Sequence, residues 1–103
     1  MAAIGFTWIN NQAVRSDQGF EVQMVSQDCI EYRELGRVLT IDVEMGMSGS
    51  SPCLLISPDC FSRWDDMPQS ASLDDDEQLR IERNFREAMR FQDVKIVAEH
   101  PEY

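Results

Sequence analysis

From Arg37 to Met45 the chain reads Arg-Val-Leu-Thr-Ile-Asp-Val-Glu-Met. Leu39, Ile41, Val43 and Met45 fall on one side of an extended backbone, and Val38, Thr40, Asp42 and Glu44 fall on the other. A period of two is incompatible with a helical stripe, which repeats every three to four residues. The segment is therefore a strand with one dry face and one wet face. One wet face is the mark of an antiparallel sheet, because parallel sheets are covered on both sides. The rest of the chain has to supply this strand with neighbours and cover its apolar face.

Neighbours are legible on both sides. Residues 4 to 9 alternate enough for a strand that ends at the turn residues Asn10-Asn11. Residues 12 to 15 begin a short return strand, and Asp17-Gln18-Gly19 turns the chain again. Phe20, Val22 and Met24 alternate with Glu21 and Gln23, as in a half-buried strand. After the turn at Gln27-Asp28, Cys29 to Arg33 reads as a further strand. Gly46 to Pro52, rich in Gly and Ser, reads as a flexible loop. Cys53 to Ile56 is a short buried run stopped by Ser57-Pro58, and residues 58 to 72 read as irregular.

The cover comes from the C-terminal half. Asp74 is a good N-cap with Glu77 three positions on, as in a capping box. Ile81, Phe85, Ala88 and Met89 follow helical spacing and form one apolar stripe. Val94 to Val97 reads as a last strand, and Pro101 closes the chain. The order predicts an α+β fold: a mostly antiparallel sheet of about five to six strands, one C-terminal-half helix packed on one face, then a final strand. Residues 1–103 read as one domain.

Charge narrows the function. Nineteen acidic residues face nine basic ones, a formal net charge of −10. Phosphate recognition needs clustered Lys and Arg, so nucleic acid and an anionic membrane surface are disfavoured ligands. A basic protein is the electrostatic complement. No run of about 18 apolar residues predicts a membrane-spanning helix. Met1 to Gly5 lacks a basic region followed by a long apolar run, so no secretory signal is expected. The odd set Cys29, Cys53 and Cys60 then reads as reduced thiols in a cytoplasmic protein.

Catalytic signatures are weak. The single histidine, His100, lies in a tail where solvated side chains are the rule. Cys53 and Cys60 lack the spacing of a zinc pair. Gly46 to Ser51 lacks the Lys of a phosphate-binding loop. No catalytic set, metal site or cofactor is expected, which favours a binding protein over an enzyme.

Two acidic clusters flank the short segment Met67 to Leu73. They are Asp65-Asp66 and Asp74-Asp75-Asp76-Glu77. The second also suits the helix dipole. Together they form a candidate acidic patch for a partner's basic cleft. Trp64, next to Arg63, is of a type common at interface hot spots, or else it seals the core edge beneath the helix. The outward helix face carries Leu79, Arg83, Arg86 and Arg90, with Asp76–Arg80 and Glu82–Arg86 as expected i,i+4 pairs.

Three stretches carry a resemblance: Gly36-Arg37-Val38, Ser62-Arg63-Trp64-Asp65 and Phe91-Gln92-Asp93-Val94. Over residues 20 to 98 the chain resembles small α+β immunity proteins of bacterial polymorphic-toxin and contact-dependent inhibition systems. The resemblance implies an acidic, cytosolic, non-enzymatic protein that neutralises a cognate toxin protein by binding it directly. The matching positions are Gly36, Arg37, Arg63, Trp64 and Phe91, and contact residues in such proteins vary with the toxin. A non-enzymatic adaptor or subunit of a larger assembly is the alternative.

Overall fold

The computed structural model describes residues 4–57 and 59–98, so the expectations for His100 and Pro101 lie outside the described residues. The elements are β1 (Phe6–Asn10), β2 (Ala13–Ser16), β3 (Phe20–Ser26), β4 (Cys29–Glu34), β5 (Arg37–Ser48), β6 (Ser51–Ile56), α1 (Asp75–Phe91) and β7 (Ile96–Ala98). All seven strands belong to one sheet whose spatial order equals the sequence order. Pairing is antiparallel from β1 to β6, and β7 joins β6 in parallel. The α+β plan is thus the one expected, with seven strands where five or six were anticipated.

The segments that read as strands all form, and the differences lie in their extent. Near the N-terminus, the Asn10 side chain accepts a hydrogen bond from the Gln12 N–H at 2.7 Å. This local turn folds β2 back onto β1. The larger difference is the segment Gly46 to Pro52, expected as a flexible loop. It is the end of one hairpin, with Ser48 paired to Ser51 across a turn at Gly49, whose φ is 64°. Gly46 is strand, not linker. A Cβ there would sit 2.9 Å from Leu55 Cγ, so the missing side chain makes room for Leu55 from the facing strand.

One apolar layer fills the space between sheet and helix. Phe20, Val22, Ile30, Tyr32, Leu39, Ile41 and Val43 meet Ile81, Phe85, Ala88 and Met89. The helix starts where its sequence says: Asp74 accepts the Glu77 N–H at 2.8 Å. Phe61 and Trp64, from the irregular segment before α1, are also buried in this layer. Phe61 packs on Phe85 with ring centroids 5.6 Å apart. Inside the layer Asn84 donates to the Tyr32 hydroxyl at 3.0 Å, and burial pushes the Tyr32 pKa up to about 12. The expected stripe on β5 ends early. Val43 is buried, but Met45 is 71% exposed because β5 runs beyond the covered part of the sheet. No helix among the described residues is long and apolar enough to cross a membrane.

Gly46→Val places a branched side chain against Leu55 and is expected to cost about 1–3 kcal/mol in urea unfolding. Leu55→Ala in the same chain should recover part of that loss. A neutral Gly46→Val would mean the segment is the loop its composition suggests.

Candidate functional site

The wet face of the sheet is built by alternation along β4 and β5. Cys29 lies opposite Asp42, and Glu31 lies opposite Thr40. Asp28 precedes Cys29 in the turn, and Asp65 arrives from the irregular segment after β6. Burial and then the carboxylates of Asp42, Glu31, Asp28 and Asp65, in that order, push the Cys29 thiol above its ordinary pKa of 9.0. Four negative side chains acting on one thiol mark a concentrated field. Arg33 offsets part of it through a 2.6 Å contact to Glu31. Beside the cluster a polar depression is lined by Thr40, Asp42, Asp59, Arg63 and Asp65. Arg63 donates to Gln69 there. Among the described residues no group of three or more His, Cys, Asp or Glu is placed to hold a metal ion.

Asp65 has a structural task in this arrangement. β5 pairs with β4 over Arg37 to Asp42 and with β6 only from Val43 onward. Its second edge is therefore bare over Val38 to Asp42. Asp65 fills part of that gap. Its N–H donates to the Val38 carbonyl at 2.8 Å. Its carboxylate accepts the Thr40 N–H at 2.9 Å and also the Thr40 hydroxyl. One residue thus supplies the bonds that a neighbouring strand would have made.

The other expected contact residues are dispersed. Trp64 is a core residue, 4% exposed, stacked on Tyr32 with centroids 6.1 Å apart. Its role as a contact residue is therefore corrected: it seals the core, because an indole this size is stabilised by burial. Arg37 lies over its ring, 5.3 Å from the centroid, and also pairs with Asp66 at 2.9 Å. Asp74 caps the helix. Asp75 borders a separate shallow depression with Gln78, Leu79 and Glu82. The exposed Asp76 makes no ion pair among the described residues, and Arg80 reaches instead to Glu34 of β4. Glu77 contributes its N–H to the cap. Asp65 and Asp75 thus border different depressions, while Asp66 is tied to Arg37.

The basic helix face is partly as expected. Glu82–Arg86 forms at 2.9 Å, whereas Asp76–Arg80 does not. Phe91 packs against Phe6 and Trp8, with centroids 5.3 and 5.7 Å away. Asp28, Glu31 and the Cys29–Asp42 register escaped sequence reasoning. The outward Asp42 and Glu44 are visible as a pattern, but that Asp42 faces Cys29 of β4 depends on the turn at Leu35-Gly36, and Glu44 faces Leu55 of β6.

Asp65→Ala is expected to lower unfolding free energy by about 1–3 kcal/mol, and Thr40→Val should show coupling to it of about 1 kcal/mol in a double-mutant cycle. Unchanged urea midpoints would leave Asp65 a surface residue only. Cys29 is expected to alkylate with iodoacetamide at pH 8 more slowly than a free model thiol, as read by peptide mapping. Asp42→Asn removes a negative neighbour, lowers the thiol pKa and should speed the reaction. An identical rate in that variant would place the carboxylate field elsewhere.

No family model, curated protein or solved structure matches this chain.

Proposed function

We infer that this protein is a cytosolic immunity protein that neutralises a cognate toxin by direct contact, without catalysis of its own. The observation that carries the reading is the placement of Asp42, Glu31, Asp28 and Asp65 around Cys29 on the wet face of β4 and β5, on a chain of formal charge −10. Such a face complements a basic cleft of the kind a nuclease presents to phosphates. Asp42, Glu44, Asp28 and Asp59 would take the place of those phosphates. Asp65 and Asp66 hold bonds within the fold, so they contribute charge but are poor sites for testing contact. The motif resemblance supplies the partner class, and the sheet supplies a rigid surface from which the charges project.

The test is co-expression with the toxin encoded immediately upstream. Protection from killing and a co-purifying complex are expected. A toxin that still kills, with no complex formed, overturns the reading. Within a complex, Asp42→Lys with Glu44→Lys should slow association about tenfold or more at low salt and change dissociation less. An on-rate indifferent to both substitutions and to salt would remove the acidic face from the interface.

A further inference from the structure

A second surface, chemically unlike the acidic face, lies where β5 and β6 run past the helix. Met45 and Met47 point to the helix side of the sheet, in register with Leu54 and Pro52, yet they are 71% and 64% exposed. Met24 is half-buried beside them. Met24 and Met45 border an apolar groove with Pro52, Leu54 and Val94, and Met47 lies beside its end, opposite Pro52. The groove continues past Pro52 into a depression bordered by Arg86, Arg90 and Lys95. Arg86 is held by Glu82 at 2.9 Å. Arg90 is only loosely tied to Glu87, at 3.7 Å, and Lys95 makes no ion pair among the described residues. Asp93 is the one carboxylate on that border.

Two physical points decide what fits. Contiguous exposed apolar side chains cost free energy in water and mark contact sites. Methionine, unbranched and polarisable, repacks around varied apolar side chains and recurs on adaptable binding surfaces. The cations next to it oppose a basic segment at this spot and favour carboxylates there, although the chain as a whole is negative. A second copy of this chain would bring its acidic surface along, and mutual repulsion of two −10 chains opposes that pairing.

We propose that the Met45–Met47 groove with Arg90 and Lys95 docks a partner segment that combines large aliphatic side chains with carboxylates. The aliphatic groups lie on the methionines and the carboxylates meet Arg90 and Lys95. This surface is separate from the wet face of β4 and β5, so a partner can be held here while a basic protein occupies the acidic face. It is independent of the toxin reading.

The methionines themselves report on the proposal. The full chain labelled with methyl-13C methionine is titrated with a synthetic peptide of alternating Glu and Leu. Saturable shifts are expected at Met45 and Met47, with Met67, beside Trp64, unmoved. Arg90→Glu with Lys95→Glu should weaken the apparent affinity at least about tenfold, the scale of losing charge pairs at a wet rim. Both side chains are solvent-facing, and an unchanged signal from the buried Met89 verifies that the variant is folded. A Glu–Leu peptide that leaves Met45 and Met47 unmoved overturns the proposal. So does a Lys–Leu peptide that binds equally well, or an unchanged affinity in the double variant. Shifts that appear on concentrating the protein alone assign the groove to a second copy and also overturn it.

Discussion

β5 is the member on which the rest of the sheet depends, because it is shared. Its first half pairs with β4 and its second half with β6, so the two hairpins are one sheet only through this strand. The offset lets the sheet turn around the helix. It also leaves backbone groups bare where β6 has departed. An unpaired buried N–H or C=O is expensive, and a bare strand edge invites pairing with another chain. Asp65 meets both problems with three bonds to Val38 and Thr40. Trp64, the residue before it, is thereby held in the core against Tyr32, with Arg37 over its outer face. What reads in sequence as a charged loop is a clasp on the central strand.

Most of the architecture was legible because it rests on local signals. The alternation of Leu39, Ile41 and Val43, the Asp74 cap, and the Ile81/Phe85/Met89 stripe each survive intact. The failures have specific causes. Gly46 to Pro52 reads as a loop by composition, but the missing side chain at Gly46 serves Leu55 on the next strand, a relation no window of sequence contains. Met45 continues the apolar pattern beyond the part of the sheet that the helix covers, and periodicity alone does not say where cover ends. Asp65 and Asp66 stand out by charge alone, while their partners Thr40 and Arg37 lie far away in sequence. The field at Cys29 needs the β4–β5 register, which is set by the turn at Leu35-Gly36, where both residues have positive φ.

The distribution of charge follows from the same geometry. Acidic residues on the wet face are brought together by strand pairing, across β4 and β5. Basic residues on α1 are spaced along one helix and are largely answered by Glu34, Glu82 and Glu87. A negative surface and a methionine groove with cations beside it therefore coexist on one small domain. Net charge alone describes neither of them.

The identity of spatial and sequence order in the sheet has a further consequence, in time and not in space. Each strand from β2 to β6 pairs antiparallel with the one made just before it, so a growing chain can zip its hairpins as they emerge and close only short loops. β7 is different. Its parallel place beside β6 requires the whole of α1 to have crossed the sheet first. Until that crossing is complete, the outer edge of β6 stays open, and that interval is when the nascent chain is most exposed to pairing with a neighbour.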